Sequence, residues 1–246
     1  MSNVRRNTVE RATINMLLIC SLFGAHEAAF AQVGHRPDAS PYRDLQAKRV
    51  LSFVGGYLSG SSGAANVGPG SGSLAGARFD LYLSGPASAT FGAGVANLER
   101  ILIDPTMGPA NRTLDTTSQS VLLLDAGFDV LLTGEKTWHG VIPYLGGGMG
   151  FALGGSVDAD SLSGYSFSTH FTTGPHIGIW LLPSRRFTFK IEGRDILWRL
   201  KYPEGFFTTP ANAPDELPVL DGNVMKDTQW VHHLTLTFTL GYTIGS

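Results

Sequence analysis

Between Val50 and Ile244 apolar and polar residues alternate with a period of two, the repeat of a half-buried strand and not of a helix. The last segment shows it best. Trp230, His232, Leu234, Leu236, Phe238, Leu240, Tyr242 and Ile244 share one face, and Val231, His233, Thr235, Thr237, Thr239, Gly241 and Thr243 share the other. A helix would bring a threonine onto its apolar side at every turn. The same split sets Ala75, Ala77, Phe79, Leu81 and Leu83 against Gly76, Arg78, Asp80 and Tyr82. It sets Leu122, Leu124, Ala126, Phe128 and Val130 against Leu123, Asp125, Gly127 and Asp129. Phe167, Phe171 and Ile177 oppose Ser166, Ser168, His170, Thr172, Gly174 and His176, and Phe187, Phe189 and Ile191 oppose Thr188, Lys190, Glu192 and Arg194. Past Gly193 the alternation slips, because Ile196 and Trp198 fall on the charged side; a β-bulge near Gly193 is predicted there. The pattern predicts eight strands, at about 50–59, 73–84, 87–99, 119–132, 141–153, 165–181, 186–200 and 229–244.

The connections alternate strictly between long or medium (60–72, 100–118, 154–164, 201–228) and short (Gly85-Pro86, Gly134 to Gly140, Pro183-Ser184-Arg185). An antiparallel up-and-down barrel built this way carries its long loops at one end and its tight turns at the other. Aromatic residues near strand ends (Tyr57, Tyr82, Trp138, Tyr144, Trp180, Trp198, Tyr202, Trp230 and Tyr242) suit two girdles at membrane interfaces.

Composition narrows the class. Only 15% of the 246 residues are charged, below the ~25% of an average soluble chain. The net charge of -2 and the lack of a basic stripe exclude nucleic acid as a partner. Residues 1–31 read as a secretory signal: Arg5, Arg6 and Arg11, then the short apolar run from Ile14 to Ala25, then Ala29-Phe30-Ala31 for cleavage before Gln32. Cys20, the one cysteine, lies in that segment, so the mature chain would hold no disulfide and no thiolate metal site. The mature chain keeps 15 basic and 18 acidic residues. Residues 32–49 read as a polar periplasmic lead-in, with a short helix around Tyr42 to Arg49, and 50–246 as the barrel domain.

Strand count, loop asymmetry and alternation over about 50–246 resemble the small eight-stranded outer-membrane barrels of the OmpA/OmpX type. The resemblance implies an all-β transmembrane barrel in the outer membrane of a Gram-negative-type bacterium. It implies a monomer whose partners are outer-membrane lipid and the barrel-assembly machinery. The last strand is similar to the assembly signal of that class, although the chain ends Gly245-Ser246 and not in phenylalanine.

Alternation alone does not say which face is the lumen. A soluble lipocalin-like carrier would place the apolar face inside. The membrane arrangement fits the polar face better, because that face is rich in Gly, Ser and Thr and carries few charges of both signs. Arg78, Asp80, Asp125, Asp129, Lys190, Glu192 and Arg194 then point into the lumen, where unpaired charges would each cost several kcal/mol. They would serve as ion pairs that plug the barrel, or as a gate on a narrow solute path. The implied function is structural, or surface interaction through the long loops.

A lipid-modifying enzyme is the alternative, since Ser168 and His170 share a strand face; no oxyanion loop accompanies them, and no catalytic residue is assigned. No metal site is assigned either: His170 and His176 are about 20 Å apart along a strand, and His232 and His233 point to opposite faces. No cofactor is implied. Gly146-Gly147-Gly148-Met149-Gly150 lacks the helix that a phosphate loop needs, and small residues packing against a lumen tyrosine is the better reading.

Overall fold

The computed structural model describes residues 40–155, 157 and 162–244. The expected signal segment, residues 32–39 of the lead-in and the terminal pair 245–246 lie outside the described residues.

Ten strands form among the described residues, in chain order β1 (Tyr42–Asp44), β2 (Arg49–Gly60), β3 (Gly72–Ser84), β4 (Ala87–Ile103), β5 (Thr113–Leu131), β6 (Lys136–Trp138), β7 (Val141–Gly154), β8 (Thr169–Leu181), β9 (Phe187–Lys201) and β10 (Thr228–Thr243). The eight long ones pair antiparallel in succession, and β10 pairs with β2 to close the barrel. All eight predicted strands are present. In-register partners of Leu51 run through Phe79, Phe91, Ala126, Met149, Thr173, Leu197 and His232, whose carbonyl accepts the Ser61 amide. The path re-enters the first strand's line at Ser61, ten positions beyond Leu51, and a stagger of this size sets the strands at about 35–45° to the barrel axis.

The apolar face points out and the polar face points in. Along β10, Leu234, Leu236, Phe238, Leu240 and Tyr242 are exposed while His233, Thr235, Thr237, Thr239 and Thr243 are buried. Phe53, Phe91, Phe128, Phe151, Phe171 and Phe189 join the exposed set. A lipocalin-like barrel requires the opposite arrangement, so that reading is overturned.

The tight turns meet at one end. Gly85, with φ at 58°, and Pro86 close the β3–β4 hairpin in two residues, as a turn with a left-handed first position requires. At the other end the connections are longer. One of them is shorter than the sequence implied: β4 and β5 reach Ile103 and Thr113, because Leu98, Arg100 and Leu102 continue the inward parity above the apolar wall. The loop is therefore 104–112 and not 100–118.

Four expectations need correction. The helix expected around Tyr42 to Arg49 does not form: Tyr42–Asp44 is a strand paired with Lys136–Trp138, and it directs Leu45 and Ala47 beneath the barrel. No bulge occurs at Gly193. The β9–β10 register is unbroken from Lys201 to Phe187, and Ile196 and Trp198 keep the inward parity because the lumen is apolar at that level. Phe167 precedes β8 and turns inward to stack on His170 and pack against Trp198. The aromatic girdle is partial: Tyr57, Trp138, Trp230 and Tyr242 are exposed, but Tyr144, Trp180, Trp198 and Tyr202 are buried inside.

Candidate functional site: the layered lumen

The lumen has three layers, each set by inward parity. Nearest the turns, Val50, Leu131, Ile142, Tyr144 and Trp180 pack with Leu45 and Ala47 of the lead-in. Nearest the loops, Leu58, Leu98, Val121, Trp198, Leu200 and Val231 pack with side chains that fold in from the loops. The loops contribute Val67, Tyr165, Phe167, Tyr202, Phe206 and Leu220. Burial pushes the Tyr165 and Tyr202 phenols above their ordinary value, so both stay neutral at pH 7. Arg100 is buried in this cap; its Nε donates to the Val67 carbonyl at 2.7 Å, and its guanidinium lies 4.6 Å from the Tyr165 ring centre.

The middle layer is charged. Arg78 and Asp80 come from β3, Asp125 and Asp129 from β5, and Lys190, Glu192 and Arg194 from β9. Arg78 donates from both terminal nitrogens to both oxygens of Glu192, at 2.8 and 2.9 Å. Arg194 bridges Asp125 at 2.7 Å and Glu192 at 3.2 Å. Lys190 donates to Asp80 at 2.7 Å, with Asp129 4.0 Å away. The seven residues therefore form two ion-pair groups across the lumen, Arg78–Glu192–Arg194–Asp125 and Asp80–Lys190–Asp129.

Two partners lie outside the seven lumen charges predicted from the sequence. His176 on β8 hydrogen-bonds Asp129 through Nε2 at 2.6 Å, and the Tyr144 hydroxyl on β7 donates to Glu192 at 2.9 Å. Lys190 also sits over two rings, 4.4 Å from the Trp180 centre and 5.1 Å from Tyr144. The signal for these residues was parity, since His176, Tyr144 and Trp180 all share inward positions with the charged residues.

Glycines make room for the large members. A Cβ at Gly178 would overlap the Tyr144 ring, and one at Gly146 would overlap the His176 imidazole. The glycine run of β7 is thus a seat for a lumen side chain. It faces His176 at Gly146, while the tyrosine is seated by Gly178 on the next strand. Between the charged layer and the loop-end cap a cavity of about 60 Å³ remains, bordered by Leu74, Gly76, Arg194 and Thr235, enough for a few waters.

The remaining sequence candidates do not converge. His170 Nδ1 meets the Arg199 carbonyl at 2.7 Å, and Ser168 lies outside β8 with its carbonyl accepting the Gly154 amide. His233 Nε2 bonds the Pro69 carbonyl inside the barrel, while His232 Nδ1 bonds Asp195 on the outer wall at 2.8 Å.

No protein-family model matches the chain, and no curated protein matches its sequence. Among solved structures, it is similar to Neisserial surface protein A, with a TM-score of 0.48 and 12% identity over 83% of this chain and 98% of that one. It is similar to the outer membrane protein OprG from Pseudomonas aeruginosa, with a TM-score of 0.48 and 12% identity over 82% of this chain and 100% of that one. Similarity extends to Ail, the attachment invasion locus protein of Yersinia pestis, with a TM-score of 0.35 and 12% identity over 79% and 98%. The fold is read from the chain's own strand pairings: a closed, eight-stranded, antiparallel up-and-down barrel.

Proposed function

We propose that this chain is an integral outer-membrane barrel whose lumen is plugged by its own side chains, with a structural or surface-interaction role carried by the long loops. The inverted burial pattern is the observation that supports it. Outward apolar residues on β10 and just past its end run from Leu234 to Ile244. Ten residues of strand are about 34 Å long, or about 25 Å along the axis at the tilt above, the height of a membrane barrel's apolar band. Facing water, this wall would be a large unsatisfied apolar surface.

The ion pairs favour a plug over a gate. Each charge of the middle layer has an opposite partner, and apolar layers cover it at both ends. The turn end would face the periplasm and the loop end the exterior. Partners on this reading are outer-membrane lipid and, during insertion, the barrel-assembly machinery, to which the alternating β10 would be presented; the barrel is a monomer. The test is fractionation of cells expressing the full chain. The protein should stay in the outer-membrane pellet after a carbonate wash and shift in gel mobility on heating. Release into the soluble periplasmic fraction would overturn the reading.

A further inference from the structure

Asp195 places a carboxylate on the outer wall. It has the outward parity of Ile191 and Leu197, and its register partner on β10 is the exposed Leu234. Oδ2 accepts from His232 Nδ1 at 2.8 Å, while Oδ1 is buried with no hydrogen-bond partner among the described residues. Ionisable groups on a lipid face are costly and mark function by default. The bond to the carboxylate fixes the imidazole tautomer: Nδ1 donates, so Nε2 carries the free lone pair of a base. Asp195 reaches the ring from the β9 side, which leaves Nε2 on the ring's other edge, toward β2. The His232 side chain is 65% exposed, so that nitrogen is open to a substrate.

A serine stands on that side. The Ser61 amide donates to the His232 carbonyl at 3.2 Å, which continues the β2–β10 ladder one pair beyond Gly60 and His233. Cross-strand partners share a face and hold their Cβ atoms about 4.5–5.5 Å apart. Ser61 keeps the outward parity of Phe53, Tyr57 and Ser59 and is exposed. An acid, an imidazole and a hydroxyl therefore follow one another across β9, β10 and the end of β2, in the order of a Ser-His-Asp triad. The Gly63 amide donates to Ser61 Oγ at 3.2 Å, so a backbone donor lies beside the reacting oxygen, where an oxyanion needs one.

The level of these residues selects the substrate. Leu234 opens the apolar band of β10, and Trp230, exposed on the same face, suits the membrane interface. His232 lies between them, where headgroups give way to acyl chains and the ester carbonyls of a lipid sit. Beneath it, Tyr57, Ile177, Gly193 and Leu236 border an open groove that an acyl chain can follow. Resting on the membrane reading above, we infer that Ser61, His232 and Asp195 form a site that hydrolyses a carboxylic ester of a membrane lipid. Ser61 Oγ bonds to the ester carbonyl carbon as its proton passes to His232 Nε2. The ester C–O bond then breaks, and His232 gives that proton to the leaving alcohol oxygen. Water, losing a proton to His232, attacks the acyl-serine; the proton returns to Ser61 Oγ as the fatty acid leaves. Asp195 is the positioning residue, which holds the ring and answers the charge of the imidazolium.

The test follows fatty acid release by the folded full-length mature protein in vesicles of phosphatidylethanolamine and phosphatidylglycerol, with and without lipid A. Mass spectrometry should find a free fatty acid and the matching deacylated lipid in equal amounts. An unsubstituted acid and a lysophospholipid assign the glycerol ester; a 3-hydroxy acid assigns the lipid A ester. Ser61→Ala and His232→Gln should each lower the rate at least about a hundredfold, and Ser59→Ala should leave it unchanged. Asp195→Asn should lower kcat about a hundredfold with KM unchanged, and Asp195→Glu should restore part of that loss. A fluorophosphonate ester, which reads the activated serine without any lipid, should label wild type at Ser61 and should not label His232→Gln. All three side chains lie on the outer wall, so each variant should keep the gel-mobility shift on heating. Wild type that inserts but releases no fatty acid or leaves Ser61 unlabelled, or release that survives Ser61→Ala, would overturn the inference while leaving the barrel reading intact. Failure of wild type to insert into vesicles at all would overturn both.

Discussion

Arg78 on β3 and Glu192 on β9 meet inside the barrel through two hydrogen bonds of 2.8 and 2.9 Å, although they are 114 residues apart in the chain. Both are almost wholly buried. Glu192 also takes Arg194 and the Tyr144 hydroxyl, so one carboxylate holds three strands together.

Removing one member should therefore cost more than removing both. Glu192→Leu leaves the buried Arg78 guanidinium without its acceptor and Arg194 with Asp125 alone, and should destabilise the folded barrel by about 3–5 kcal/mol. Arg78→Met combined with Glu192→Leu should recover much of that loss, because well-packed apolar pairs often match a buried ion pair. Urea unfolding in lipid vesicles gives both numbers. A double variant less stable than Glu192→Leu by the full Arg78→Met effect would show that the two residues act independently.

Parity on β10 separates the two faces at adjacent positions. Leu236 is exposed on the apolar wall and Thr237 is buried in the lumen. Leu236→Arg should cost about 2–4 kcal/mol near the bilayer midplane. Thr237→Ser should cost well under half of that, since serine keeps the hydroxyl that contacts the Glu192 carbonyl at 3.5 Å and removes only one methyl group. The same vesicle unfolding assay reads both; equal effects would mean that Leu236 does not face hydrocarbon.

Gly178 faces Tyr144 so closely that even a methyl group overlaps the ring. Gly178→Ala should destabilise by about 1–3 kcal/mol through overpacking. Tyr144→Ala removes the obstructing ring, so Gly178→Ala should cost less in that background. A double-mutant cycle measures the coupling, and additive effects would contradict the contact.

Much of this was legible as alternation. The strands, the closed barrel and the seven charged lumen positions all follow from which residues share a parity. What alternation could not report is the chemistry of each level of the lumen. Ile196 and Trp198 looked like a slip because the inward face was taken to be polar from end to end. It is polar only in the middle, and inward residues near the loops meet an apolar cap. The same reason hid Trp180 and Trp198 among the girdle aromatics: a ring near a strand end can stopper the lumen as well as anchor at an interface. The Tyr42–Asp44 strand was hidden because three residues carry no period, and its pairing depends on Lys136–Trp138 far along the chain.

Loop 202–227 is half cap and half surface. Phe206 and Leu220 are buried, whereas Pro214 to Leu217 are exposed. Protease added to intact cells should cut first within 214–217 and leave the barrel strands whole, read by mass spectrometry of the released fragments. Cutting that requires permeabilised outer membranes would place the loop end in the periplasm.

The exposed apolar wall makes folding depend on an apolar solvent. Refolding the mature chain from urea, with and without detergent micelles, and following β-sheet circular dichroism together with oligomeric state, isolates that dependence. A monomeric β-rich state should form in micelles and fail to form in plain buffer, where the chain should aggregate. A stable, monomeric, β-rich protein in plain buffer would contradict the membrane assignment.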